Sequence, residues 1–496
     1  MNMLETYQAR VREIAKLNST LALLYWDQRT YMPSKGHNGR AQLIGQLSKM
    51  IFERLTCDEL GRCLEHLEER DDLSREDRAS VRVIGKAYRR HKAIPSDFYE
   101  EFSIARSLSE SVWEQAKATS DFALFQPHLK KMVDYSRKLA DYYGYEDNPY
   151  DALLEEYEPG MTTGELRSVI ESLRSELVPF IKRLADKGAP PKRGFLEQPF
   201  PIDRQRELSL RALKAIGYDF EAGRLDTTVH PFTITTGPED VRVTTRYREE
   251  SLLSGLFTAL HEGGHALYGQ GLPEALRWSG LDEGASSGIH ESQSRMWENL
   301  VGRSLAFWTF FRPTVVEVFP ELSGVSAEAF YRAANVVEPS FIRVEADEVT
   351  YNLHIMLRFE FEENLINGRI AVKDLPSLWR EAMERYLSVV PDDDAHGVLQ
   401  DVHWGGAMFG YFPSYMLGNL YGAQMFAQVK KEIPDLTERI TNGEMETLLS
   451  WLREKVHHLG KTCEPKELIK DITGEDLNPS YFMDYITAKY EHVYNL

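Results

Sequence analysis

The sequence predicts a mainly α-helical fold with one small β-hairpin, and three observations carry that expectation. Apolar residues recur at helical spacing from the first turns, at Leu4, Tyr7, Val11, Ile14, Leu17, Leu21 and Leu24. Long charged stretches such as ELGRCLEHLEERDDLSREDRASVRVIGKAYRRHKA keep the same period and read as solvated helix faces. β-branched residues dominate one segment, LDTTVHPFTITTGPEDVRVTTRY, where TTGPED is turn chemistry.

Taken in order, helices are expected from the N-terminus to about residue 185. Pro and Gly density in DKGAPPKRGFLEQPFPIDRQ, residues 186–205, marks a long surface loop. The hairpin follows, with strands near 227–235 and 240–247. His230 falls in the first strand, and Pro231 argues for an edge position there. Beyond Ser251 the chain is expected to be helical again. The exceptions are two glycine-rich loops, DEGASSGIH and HWGGAMFGYFPSY.

With 496 residues, 42% of them hydrophobic, the chain is large enough for an extensive core in two or three lobes. A formal net charge of -19 argues against nucleic acid and against an anionic membrane as partners. The N-terminal residues are charged throughout, unlike a signal peptide, and no run approaches the roughly 18 apolar residues of a membrane span. Three cysteines, Cys57, Cys63 and Cys463, are too few for a disulfide framework, and no second pair completes a metal site with Cys57 and Cys63. A cytoplasmic location is expected.

The chemistry concentrates at TALHEGGHALYGQGL, residues 258–272. On a helix His261 and His265 are four apart and project from one face, the geometry that two nitrogen ligands of one zinc ion need. Glu262 lies beside them and fits the general base of H-E-x-x-H metallopeptidases. A catalytic zinc takes a third protein ligand. Tyr268 and Gly271 stand where a third histidine motif needs Gly and His, so a carboxylate is expected. Glu274 is too close to fold back, and Asp282 and Glu283 belong to the glycine-rich loop. Glu291 opens a helical run after a loop long enough to reverse direction and is the expected ligand, with Glu298 as the alternative. Gly263 and Gly264, each costing about 1 kcal/mol in a helix, are expected to admit a closely packed neighbour.

Several separated motifs then coincide. HPF (His230–Phe232), DVRVT (Asp240–Thr244), HEGGH (His261–His265), HESQ (His290–Gln293), IRVEAD (Ile342–Asp347) and GVLQDVHW (Gly397–Trp404) occur in order, and LLYWDQRTYMP precedes them. The chain resembles the carboxypeptidase Taq family of zinc metallocarboxypeptidases from about residue 10 to the C-terminus. The resemblance implies a large helical metallopeptidase fold with a deep active-site groove and a small sheet beside the HEGGH helix. It implies one domain over residues 1–496, with 1–185 a helical region forming part of the groove and 186–496 the catalytic region. It implies one Zn2+ per chain held by His261, His265 and Glu291, for which Co2+ or Mn2+ could substitute. It also implies removal of single C-terminal residues with broad specificity, and a homodimer. Some related peptidases place an Asp four residues after the third ligand; here that position is Arg295, so the ligands need other support, for which Asp347 is a candidate.

The expected roles follow from chemistry. Glu262 moves the proton of the attacking water to the leaving amine. His403 and Tyr415 flank the second glycine-rich loop and are candidate donors to the oxyanion. Arg343 suits the free carboxylate of a peptide by bidentate hydrogen bonding, with Arg242 as second choice. An ion pair of Arg343 with Glu345 or Asp347 is the plain alternative. His230, Arg242 and Asp240 are expected along the substrate groove, the last two fixing its shape. Two rival functions remain open on sequence: a zinc endopeptidase or oligopeptidase at the same site, and a catalytically inactive helical scaffold that binds peptides.

Overall fold

The computed structural model describes residues 2–496. Among them it has twenty α-helices, short 3-10 turns, one π-helical segment and a three-stranded sheet. The mainly helical expectation holds. The residues cluster into two compact units, neither continuous in sequence.

The first unit takes the chain through Lys92, Lys192–Ala334 and Met425–Asp476. Its helix α1 (Met3–Thr30) begins at an Asn2 cap whose side chain accepts from Glu5 N while the Glu5 carboxylate accepts from Asn2 N. One face of α1 buries Tyr7, Val11 and Ile14 against Leu60, Leu64 and Leu67. Helix α2 (Ile202–Ala215) precedes the sheet, made of β1 (Leu225–Thr227), β2 (Thr233–Gly237) and β3 (Asp240–Thr245). The order is β1-β3-β2, with β1 parallel and β2 antiparallel to β3. Two helices carry the chemistry. α3 (Leu252–Gly271) starts at the Ser251 cap, and α4 (Ser287–Arg295) at the Ser286 cap, whose hydroxyl accepts from Ile289 N at 2.9 Å.

The hairpin differs from the sequence expectation in one respect. The segment read as a single strand over 227–235 is two strands, broken at residues 228–232. Pro231 has no N–H to give a ladder. The chain bends there and re-enters when Phe232 N donates to the Thr244 hydroxyl and Phe232 O accepts from Thr244 N. His230 is therefore an exposed bend residue, not a strand residue.

The second unit comprises Ala93–Pro191, Asn335–Gln424 and Leu477–Leu496. Helix α5 (Tyr351–Ile366) is buried on nearly every side, including Asn352, His354, Arg358 and Glu362. Such a helix lacks the amphipathic pattern of a surface helix because it runs through the middle of a core. The expectation of continuous helix beyond Ser251 also fails at 335–350, which is irregular apart from one 3-10 turn (Arg343–Glu345).

Candidate metal centre and its surroundings

The paired glycines of HEGGH have a steric reason. A Cβ on Gly264 would lie 2.5 Å from Gln293 O and 2.6 Å from Ser294 Cα, so the backbone of α4 rests directly on α3. A Cβ on Gly263 would lie 2.6 Å from Leu213 Cδ2 and 2.9 Å from Ile216 Cδ1, where α2 and its end pack. The helix cost of glycine is offset by two close crossings, and the Gly264 crossing brings Glu291 within reach of the histidines.

Glu291 Oε2 stands 3.7 Å from His261 Nε2 and 3.3 Å from His265 Nε2. Ligand atoms held about 2.0–2.1 Å from a tetrahedral centre stand about 3.3–3.4 Å apart, so these residues fit a small divalent cation with a position left open. The groups behind them fit as well. His261 Nδ1 donates to Glu298 Oε2 at 2.9 Å, which leaves the Nε2 lone pair for a metal. His265 Nδ1 lies 2.6 Å from His290 Nδ1 and is held in the same way from behind. Arg295 donates through Nε to Glu291 Oε1 at 2.7 Å and through Nη1 to Glu298 Oε2 at 3.3 Å; the Ser294 hydroxyl lies 2.6 Å from Glu291 O and 3.0 Å from Glu291 Oε2. Burial opposes charge on Glu291, but Arg295 and the two imidazoles hold its carboxyl well below the usual range. Glu298 is held at about 2, against burial, by His261, Arg295 and Arg303. Both are anions over the working pH range, as a dication requires.

Glu298, the alternative third ligand, thus sits behind His261 and not among the ligand atoms. The reason is local. From Met296 to Gly302 the chain is π-helical, which adds residues per turn and changes the face Glu298 occupies relative to Glu291. Asp347, the candidate support, is spent elsewhere: its oxygens accept from Glu338 N, Val349 N, Thr350 N and the Thr350 hydroxyl. Support comes from Glu298, Arg295 and His290.

Glu262 is buried beside His261. Its Oε2 accepts from the Thr233 hydroxyl at 2.7 Å. Asp240 and Arg242 form a bidentate pair at 2.6 and 2.7 Å, and the Arg242 guanidinium lies over the Trp26 ring at 4.3 Å.

In the second unit Arg343, His403 and Tyr415 do come together, around a residue that sequence reasoning did not single out. Asp401 Oδ1 accepts from Arg343 Nε and Nη2 at 3.1 and 2.8 Å, and its Oδ2 accepts from Arg358 Nε and Nη2. Arg343 Nη1 donates to the Tyr351 hydroxyl at 3.0 Å. His403 Nε2 lies 3.1 Å from the Tyr415 hydroxyl, and the Arg343 guanidinium stands 4.7 Å from the Tyr415 ring. Arg343 pairs with neither Glu345 nor Asp347. Burial, with the two arginines, lowers His403 to about 3 and keeps it neutral. Two cations then share one carboxylate, and the cluster carries a net positive charge suited to an anion.

Comparison with known proteins gives consistent results. The family model described as carboxypeptidase Taq (M32) metallopeptidase matches residues 6–490. The chain is 44% identical over 488 residues to carboxypeptidase 1 of Bacillus subtilis, covering 98% of this chain and 97% of that one. It is 44% identical over 496 residues to thermostable carboxypeptidase 1 of Thermus thermophilus, covering 97% of each. The crystal structure of the M32 carboxypeptidase from Deinococcus radiodurans superimposes with a TM-score of 0.97 at 38% identity, covering 100% of both chains.

Proposed function

The chain belongs to the carboxypeptidase Taq (M32) metallopeptidase family and is a metal-dependent peptide hydrolase of the carboxypeptidase class; from that premise we propose that His261, His265 and Glu291 hold one zinc ion and that Glu262 is the general base. The observation that carries the reading is the approach of Nε2 from both imidazoles to a single Glu291 oxygen, beside the glutamate of HEGGH. When bound, the ion polarises the scissile carbonyl and makes water acidic enough to attack near neutral pH. Cobalt or manganese would suit the same donors.

The chain's own groups do the rest. Glu262 takes a proton from the attacking water and returns it to the leaving amine. Arg343 receives the substrate's terminal carboxylate, completing the charge that Asp401 leaves half-balanced. His403, neutral, donates through Nε2 to the Tyr415 hydroxyl, which in turn donates to the oxygen that becomes negative. Asp240 and Arg242 stiffen the hairpin along the substrate, with His230 at its bend. Residues 1–496 act as one catalytic domain, cytoplasmic and homodimeric, on peptides with a free C-terminus.

Timed mass analysis of one peptide, with free and with amidated C-terminus, tests this. Loss of single residues from the free form alone, stopped by a chelator and restored by zinc, is the expected result. Equal cleavage of both forms would mean an endopeptidase, and cleavage of neither a binding scaffold.

A further inference from the structure

The edge strand β2 carries a group that the mechanism has not used. Among the described residues, the Thr233 hydroxyl is the one side chain that hydrogen-bonds the Glu262 carboxylate, at 2.7 Å from Oε2. It also lies 2.8 Å from Glu262 O. One hydroxyl has one hydrogen, and the charged carboxylate is the stronger acceptor. Thr233 points at α3 because of its register. It pairs with Val243, and Thr235, two residues on, faces the same way and meets α3 at Gly269, where a Cβ would lie 3.2 Å from the Thr235 hydroxyl. A slip of one residue would turn Thr233 away from Glu262.

We propose that Thr233 is the positioning residue for the general base, an inference that rests on Glu262 filling that role. The terminal torsion of a glutamate is broad and roughly two-fold, so burial alone does not fix which oxygen faces the substrate. A donor on Oε2 fixes the plane and leaves Oε1 to take the proton. A base must hold its oxygen within hydrogen-bond reach, and a displacement of about 1 Å costs about 100-fold in rate. The hairpin therefore sets the aim of the catalytic carboxylate as well as the wall beside it.

The test compares Thr233→Val, which keeps shape and β-branching, with Thr233→Ser, which keeps the hydroxyl, on a peptide with a free C-terminus. The valine variant should lose about 10- to 100-fold in kcat, with KM and bound metal per chain unchanged. The serine variant should stay close to wild type. In a Glu262→Gln background, adding Thr233→Val should cost nothing further. Wild-type kcat for Thr233→Val, equal losses for valine and serine, or the same loss in the Glu262→Gln background would each overturn the inference while leaving Glu262 as base. Wild-type kcat for Glu262→Gln itself would instead remove the base assignment and the inference with it.

Discussion

In the first unit, two imidazole nitrogens and a carboxylate oxygen face one another across 3.3 and 3.7 Å, each held from behind by a charged or polar group. In the second, two guanidiniums grip a single carboxylate between them. The first cluster gathers two imidazole nitrogens and a carboxylate oxygen within reach of one centre, a donor set that suits a divalent cation. Most of the second cluster's charge is compensated internally, and only one positive charge is left for an anion. The two clusters therefore suit opposite charges: the first gathers donors for a cation, the second keeps a surplus positive charge.

Removing the base should have the largest effect. Glu262→Gln should lower kcat by about 10²–10⁴-fold with metal content unchanged, since general-base transfer contributes on that order. Metal loss in that variant would blur the distinction between ligand and base. In the second cluster, Asp401→Asn leaves Arg343 and Arg358 facing one another without an anion. It should cost about 3 kcal/mol of stability, read as a lower urea midpoint, because breaking a buried ion pair strands its charge. An unchanged midpoint would mean that the cluster is not compensated through Asp401.

Arg343→Ala leaves Asp401 still paired with Arg358 and so should fold. It should raise KM for free-carboxylate peptides about 10- to 100-fold, the worth of hydrogen bonds to a charged group. An unchanged KM would take substrate recognition away from this cluster. The smallest effect concerns Glu362, which is fully buried and accepts from Tyr150 Oη, Gly410 N and Trp404 Nε1. Burial pushes its carboxyl up to about 7, with those donors pulling the other way. The fold then binds the proton more tightly than the unfolded chain does. Its contribution is present at pH 4 and is lost as pH rises through 7. Glu362→Gln should flatten that slope by about 1–2 kcal/mol in melts from pH 5 to 8, and a slope as steep as wild type would contradict it.

What was legible in the sequence was local. His261 and His265 meet because they are one helical turn apart, and Gly263 and Gly264 announce a close neighbour because nothing else repays their cost. Glu291 was reachable by loop length and by resemblance. The place of Glu298 was not, because an α-helical count to position 298 fails once the turn widens to a π-helix. Arg295 stands where an Asp in support of the ligands is expected, and its i,i+4 spacing from Glu291 is what lets it grip that carboxylate. The Arg343–Asp401 pair spans 58 positions, and no local period connects them. Strand β1 has three residues and pairs in parallel with a later segment, too short and too distant a partner for alternation to signal. Thr233 follows HPF directly, but its partner is decided by sheet register, which composition does not show.

The most direct measurement is bound metal per chain in the purified wild type and in Glu291→Gln, titrated with zinc against a competing chelator. One ion per chain in the wild type, and binding weakened at least 100-fold in the variant, is the expected result. Equal affinity in the two proteins would contradict the three-ligand centre and the mechanism built on it.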